Sequence, residues 1–296
     1  MYDLIIVGGG IAGVTAAIYA ARKEMKFAII APEFGGEIIN TTYVENWPGI
    51  KSIGGKELAE SYVNHMNSLG VEVIEEKVTE VKHQNHFIIT TNHSSYESKT
   101  LIWATGSKYR ELNVPGEEKL KGRGVTYCSI CDGPIFKNRV VAVIGGGNVG
   151  LTAAIYMSEI ATKVYLIEST DKINGDPILA GRLKSQNNVE IMIDTKLKSI
   201  NGERRVASVT LESGREIPLD GVLINIGYKP IVEPVKNIVE LNKYGYIEVD
   251  WKGMSKTKGL FAAGDVVFNP YKQLVISASD GAKAALGAYE FVSTLK

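Results

Sequence analysis

The chain has 296 residues, 45% of them hydrophobic and 22% charged, enough apolar material for two hydrophobic cores and too much for a disordered chain. Lys plus Arg and Asp plus Glu number 33 each, so no basic field directs the molecule to nucleic acid or to an anionic membrane. No apolar run approaches the ~18 residues that span a bilayer, the start lacks the basic n-region of a signal peptide, and two cysteines suit a reducing compartment, so a cytoplasmic location is expected.

In chain order, the apolar run 4–7 enters Gly8-Gly9-Gly10-Ile11-Ala12-Gly13, followed by an Ala-rich helical stretch to about Lys23 and a second apolar run at 27–30. That is a strand, glycine turn, helix, strand unit. Such glycines let the backbone turn tightly and approach a pyrophosphate whose charge sits at the helix N-terminus, so Gly8, Gly10, Ile11, Ala12 and Gly13 are expected to bind a dinucleotide. Ala31 stands where a ribose-binding acid belongs, and Glu33, two residues on, is the candidate in its place; a solvated loop acid is the alternative.

Leu58, Tyr62, Met66 and Leu69 recur at helical spacing and predict an amphipathic helix over 56–69, closed by Gly70, whose apolar residues serve the core. Alternation predicts strands at 71–74, 78–82, 86–91 and 96–103, with a turn at 92–95. His83 and His86 fall at an exposed hairpin and lack a third ligand, so no metal site is read there. The last of these strands runs into Ala104-Thr105-Gly106, Val-Pro-Gly-Glu at 114–117 reads as a connection, and a domain boundary is placed near 112.

Cys128-Ser-Ile-Cys131-Asp132-Gly133 holds both cysteines of the chain at the spacing of an exchangeable disulfide. A structural bridge and half of a zinc site are the alternatives, and the four histidines, the only other soft ligands, all lie far upstream. Redox catalysis is therefore expected at Cys128 and Cys131. A carboxyl group at Asp132 is placed to protonate a departing thiolate, although Asp before Gly also forms turns.

The run 140–144 leads into a second glycine turn at 145–150, and the likeness extends beyond glycine: Gly-Val-Thr-Ala-Ala-Ile-Tyr at 13–19 is answered by Gly-Leu-Thr-Ala-Ala-Ile-Tyr at 150–156. Here Glu168 occupies the place held by Ala31, at the strand end where a carboxylate accepts ribose hydroxyls. Strands are predicted at 206–211 and 217–225, then at 246–249 and 260–263, followed by Gly264-Asp265 and a helix from about 273 to 292. Asp265 suits a polyol, and the helix start at Lys272, Gln273 and Leu274 suits an anionic ring nitrogen. The expected fold is α/β: two Rossmann-like three-layer domains, the second inserted into the first, with 1–112 and 243–296 forming one and 113–242 the other.

Taken together, the two glycine turns, Gly35-Gly36 with Val-Glu-Asn-Trp-Pro-Gly at 44–49, Ala104-Thr105-Gly106, the Cys-Ser-Ile-Cys-Asp-Gly motif and Ala-Gly-Asp-Val at 263–266 resemble the low-molecular-weight thioredoxin reductases over nearly the whole chain. The resemblance implies FAD in the domain made from both chain ends, a homodimer, and a thioredoxin or similar small dithiol protein as partner. It implies that Cys131 faces the flavin, Cys128 attacks the substrate disulfide and Asp132 is the acid. Asn46, Asp265 and Gln273 would touch FAD, with Gly36, Ala104, Thr105, Gly106, Gly264, Lys272 and Leu274 in the same motifs.

One region departs from that family. Most members follow the last strand of the second repeat with His-Arg-Arg and a further Arg that grip the 2′-phosphate of NADPH, whereas this chain has Glu168, Ser169, Thr170 and Asn174. A Glu-Glu pair near the nicotinamide is replaced by Thr152-Ala153. The expected activity is thus a flavin-dependent thioredoxin-disulfide reductase whose donor is not NADPH, with reduced ferredoxin foremost and NADH through Glu168 as the alternative. A flavin-binding switch without turnover, and a peroxidase component or small disulfide as substrate, are the other readings.

Overall fold

The N-terminal apolar run becomes β1 (Tyr2–Gly9), an inner strand of a seven-stranded sheet in the computed structural model, which describes residues 1–41 and 44–295. β1 lies parallel between β2 (Phe27–Phe34) and β6 (Ser95–Trp103), with Ile5 opposite Ala28 on one side and Leu101 on the other. α1 (Ile11–Arg22) makes the first crossover, and α2 (Gly55–Ser68) leads into β3 (Glu72–Ile74) on β2. β4 (Val78–His83) and β5 (Phe87–Thr91) form an antiparallel hairpin that joins the first half of β6, while its second half pairs with β1.

Side chains alternate across this sheet, and both faces are covered, which is why β1 reads as a continuous apolar run. Leu4, Ile6, Ile29 and Ile102 pack with α1, α2 and the C-terminal helix α7 (Leu274–Ser293). Ile5, Val7, Ile30, Leu101 and Trp103 pack on the other side with β5 and with Val235, Ile247 and Val266. α1 and α7 meet through small residues, and a Cβ on Gly281 would lie 2.1 Å from the Ala12 carbonyl oxygen. β17 (Leu260–Ala262) adds to the same sheet along β6.

The chain divides into unit 1, residues 1–108 and 229–296, and unit 2, residues 109–228. β7 (Ser107–Tyr109) and β16 (Tyr228–Pro230) form a two-stranded sheet where the chain passes from one to the other. These divisions lie at different places from the expected 112 and 243. Leu112 and Val114 pack on the core of unit 2, and Val232, Val235, Ile238, Val239 and Leu241 on a core of unit 1. The segment after 229 belongs to unit 1 through scattered apolar residues and a 3-10 turn at Glu233–Val235, a pattern without strand alternation.

Unit 2 begins with α3 (Glu117–Leu120), β8 (Val125–Thr126) and α4 (Ser129–Asp132). It continues through β9 (Val140–Ile144), α5 (Asn148–Ile160), β10 (Lys163–Ile167), α6 (Pro177–Lys184) and β11 (Val189–Met192). β12 (Leu197–Asn201), β13 (Ser208–Leu211) and β14 (Glu216–Pro218) make a three-stranded antiparallel sheet; β15 (Gly221–Ile224) returns to a parallel sheet of order β11-β10-β9-β15-β8.

The single strand expected over 217–225 is therefore two strands in two sheets. Pro218 has no N–H to extend a ladder, and the chain changes sheets at Leu219–Asp220, where Asp220 accepts the Val140 N–H. The run 246–249 makes only isolated bridges, Ile247 with Leu241 and Val267 and Val249 with Ser255, rather than the expected strand. α6, β11 and β12 are elements that the apolar patterning did not mark.

The start of unit 2 is held by Glu117, only 4% exposed, whose carboxylate accepts the N–H groups of Leu112 and Val114 and the Tyr127 hydroxyl. Removing it strands one buried and two part-buried donors, each costing up to roughly 1–3 kcal/mol and not additive. Glu117→Ala is expected to destabilise unit 2 by about 2–4 kcal/mol, read as faster hydrogen exchange at the Leu112 and Val114 amides with unit 1 amides unchanged.

Candidate active site

Cys128 and Cys131 form a disulfide, with Cα atoms 5.3 Å apart. The half-zinc reading has no place where the two sulfurs are bonded to each other. β8 is tied to β15 with Thr126 opposite Leu223, and the chain then turns into α4, a single helical turn. Cys128 caps that turn: its Sγ accepts the Cys131 N–H at 3.2 Å, and its carbonyl accepts the Asp132 N–H at 3.1 Å.

Asp132 is half-buried, and burial raises its pKa above the ordinary carboxylate range, while a hydrogen bond from the Thr126 hydroxyl acts the other way. Desolvation of this kind favours the protonated form. Tyr127, just before the dithiol, stacks on Tyr109 at 4.0 Å and has its hydroxyl on Glu117; burial pushes its pKa up. Asn225 donates to the Tyr127 carbonyl at 3.3 Å. Thr126, Tyr127, Glu117 and Asn225 are site residues that sequence reasoning missed, because none carries a motif of its own.

In unit 1 the first glycine turn is closed by backbone contact. A Cβ on Gly8, at φ +123°, would lie 2.2 Å from the Ala104 carbonyl oxygen, and one on Gly13 would lie 1.8 Å from that of Gly8. Gly36, at φ +62°, also approaches Gly10, and a Cβ on it would lie 2.8 Å from the Gly10 Cα. Ile11 opens α1 and Ala12 is buried in its first turn, which has neither a side-chain cap nor an acid, leaving its N–H groups for an anion. β2 extends to Phe34, so exposed Glu33 lies near the strand end rather than in a loop.

The second half of the chain brings further predicted residues to unit 1. Asn46 donates to Gln273 at 3.1 Å, joining two residues far apart in sequence. Thr105 donates to the Ile231 carbonyl at 2.7 Å and Ala104 to that of Val7, with Gly106 at φ +72° beyond them. Asp265 follows Gly264, at φ +74°; burial raises its pKa while the Lys272 ammonium opposes the rise, and it accepts the Ser277 hydroxyl at 3.3 Å. Lys272 donates to the carbonyls of Asp265 and Val267, both at 3.0 Å, and lies 4.3 Å from the Tyr246 ring centroid; burial lowers its pKa. It therefore holds the loop ahead of α7. Leu274 begins that helix and Gln273 is its N-cap, with no side-chain cap bond.

The second glycine turn, in unit 2, repeats this construction: a Cβ on Gly150 would lie 1.8 Å from the Gly145 carbonyl oxygen. Glu168, 8% exposed, turns its carboxylate back onto that turn. One oxygen accepts the Gly146 N–H, and the other accepts the Thr170 N–H, the Thr170 hydroxyl and the Ser169 hydroxyl. Those hydrogen bonds outweigh burial and hold its pKa below the ordinary range, so it is ionised. Asn174 donates to Thr170 at 2.9 Å, Thr152 is exposed on α5, and Ala153 is buried.

The sequence matches the pyridine nucleotide-disulphide oxidoreductase family over residues 2–282. It is 39% identical over 300 residues to the F component of alkyl hydroperoxide reductase from Pseudomonas putida, and 39% over 298 residues to an NADH dehydrogenase of Bacillus subtilis; each match covers 98% of this chain. The chain spans 58% of the length of both. Among solved structures, thioredoxin reductase from Streptococcus pyogenes is 36% identical with a TM-score of 0.92, over 99% of each chain. The ferredoxin-flavin thioredoxin reductase from Clostridium acetobutylicum is 31% identical with a TM-score of 0.56, over 99% of this chain and 98% of that one.

FAD is the cofactor of this family, and the residues of unit 1 fit it: a glycine turn with no room for a Cβ, an uncapped helix start for pyrophosphate, and Asp265 for a polyol. Asp265→Ala is expected to weaken FAD binding by about ten- to a hundredfold, the loss of a hydrogen bond to a carboxylate. The ratio of flavin to protein absorbance after gel filtration measures it.

Proposed function

We infer the function from one premise: the chain belongs to the pyridine nucleotide-disulphide oxidoreductase family. Within it the protein is a flavin disulfide oxidoreductase. We propose that it reduces the disulfide of a thioredoxin-like protein through Cys128 and Cys131, with NADH as its electron donor. The observation that carries the reading is the Cys128–Cys131 bridge with protonatable Asp132 directly after it.

Bound FAD supplies an electron pair, and the rest follows from this chain's own groups. Two electrons and one proton convert the bridge to one thiol and one thiolate. Cys128 attacks as the thiolate; a bond forms between its sulfur and one partner sulfur, the partner's S–S bond breaks, and the departing thiolate takes a proton from Asp132. The Asp132 carboxylate then removes the Cys131 proton. Cys131 attacks Cys128 Sγ, the bridge re-forms, and the second departing thiolate takes that proton from Asp132. The partner leaves as a dithiol, and Asp132 regains its proton from solvent. A Cys131→Ser protein is expected to accumulate a mixed disulfide between Cys128 and oxidised thioredoxin, and a Cys128→Ser protein to accumulate none, on non-reducing gels; trapping only in the latter would reverse the roles.

Support for NADH comes from Glu168. An ionised carboxylate at the end of β10 suits a ribose diol and repels a 2′-phosphate, since like charges at about 4 Å cost roughly 1 kcal/mol even in water. The B. subtilis relative named as an NADH dehydrogenase supports the same donor. Reduced ferredoxin is the second reading, favoured by Thr152 and buried Ala153 and by the likeness to the ferredoxin-flavin enzyme. The relative named as part of an alkyl hydroperoxide reductase supports a peroxide-reducing protein as a further recipient.

Anaerobic stopped-flow absorbance of the bound flavin, with NADH, NADPH and reduced ferredoxin added separately, separates the donors. NADH is expected to bleach it fast and micromolar NADPH to leave it oxidised. Glu168→Ala should weaken NADH by roughly 1–3 kcal/mol, about five- to 150-fold. Fast bleaching by ferredoxin alone would move the assignment to the second reading.

A further inference from the structure

Thr126 stands at the end of β8, 6% exposed, with its main chain fixed opposite Leu223 of β15. Its hydroxyl accepts the Cys128 N–H at 3.2 Å and donates to Asp132 Oδ2. A hydroxyl has one proton. One of the oxygen's two lone pairs takes the Cys128 N–H, and its proton goes to Asp132 Oδ2.

We propose that Thr126 is the positioning residue that orients Asp132 for proton transfer during disulfide exchange. The proposal rests on the reading of Asp132 as the acid and adds how that acid is held. While Oδ2 receives the Thr126 proton, Oδ1 is the oxygen left to carry the acid's own proton and give it away. The same hydroxyl holds the Cys128 amide, so the acid and the attacking cysteine are fixed to one point on the sheet. Within α4, a single turn, the Cys128 carbonyl holds the Asp132 N–H, and the Thr126 hydroxyl holds its carboxyl group.

Burial favours the neutral acid and the Thr126 bond favours the ionised one, so the hydroxyl also sets the pH at which the proton is available. A general acid works while protonated, and the rate falls as pH rises through its pKa. Loss of the Thr126 bond removes stabilisation of the carboxylate, raises that pKa and carries the falling limb to higher pH.

The test uses holoenzyme in the dithiol form, prepared by reduction and desalting under argon, and bis(2-hydroxyethyl) disulfide, whose basic leaving thiolate needs a proton. Single-turnover rates are measured against pH for the native protein and for Thr126→Val, Thr126→Ser and Asp132→Asn. Thr126→Val keeps the shape and loses the hydroxyl; its falling limb should lie about one pH unit higher and its maximum rate should drop about tenfold. Thr126→Ser should restore both, and Asp132→Asn should abolish the limb.

Flavin content and an unchanged exchange pattern at unit 2 amides establish that the variants are folded. A limb that Asp132→Asn removes but Thr126→Val leaves in place overturns the proposal alone. So does a Thr126→Val effect that Thr126→Ser shares. A native profile with no limb sensitive to Asp132→Asn overturns the reading of Asp132, and the proposal with it.

Discussion

Both halves of the molecule depend on contact between two stretches of backbone that a single Cβ would prevent. In each copy the last glycine of the turn presses on the carbonyl of the first, Gly13 on Gly8 and Gly150 on Gly145, with 1.8 Å left for a Cβ that is not there. That approach brings the helix start close against the strand end, which leaves the first N–H groups of α1 and α5 open at the carboxyl ends of β1 and β9. No side chain could build such an anion site as cheaply, because backbone amides lose no rotamer freedom when a ligand meets them.

Around this shared scaffold, burial and hydrogen bonding pull ionisable groups in opposite directions. Asp132 and Asp265 have few compensating donors, and desolvation raises their pKa. Glu168 is also buried, yet two N–H groups and two hydroxyls converge on it and keep it charged. Carboxyl groups thus shift in opposite directions according to the number of donors supplied to them rather than to residue type. Lys272 shows the same logic for a cation: burial lowers its pKa, and two carbonyls and the Tyr246 ring keep it in place.

Much of this could be read from residues alone, for a physical reason. Glycine turns announce themselves because no other residue fits, and buried parallel strands such as β1 and β9 are short unbroken apolar runs. Cys128 and Cys131 were legible because sulfur at that spacing has few other uses. Thr126 was not: Val-Thr-Tyr before a cysteine reads as an ordinary strand, and its hydroxyl gains meaning only when α4 brings Asp132 back to it. The division at 229 was hidden for a related reason, since Val232, Val235 and Ile238 enter the core from 3-10 turns and loops without a period. The strand change at Pro218 lay inside one predicted strand, and pairing reveals it: β14 lies on β13 and β15 on β9, with Asp220 bonded to Val140 between them.

The two copies differ where a ribose acid belongs, and backbone geometry explains the difference. Gly9 and Gly146 are equivalent, the second glycine of each turn. In unit 1 the space beside Gly9 is filled by main chain: β2 runs on to Phe34, and a Cβ on Gly9 would lie 2.3 Å from the Glu33 carbonyl oxygen. In unit 2 the strand stops at Ile167, and the space beside Gly146 is filled by the Glu168 carboxylate, 2.9 Å from the position of an added Cβ. A longer strand in the first copy pushes the acid outward and two residues later; a shorter one in the second folds it inward against the turn. Both copies keep the same turn, whose geometry glycine alone permits, while the length of the following strand sets where the carboxylate lies.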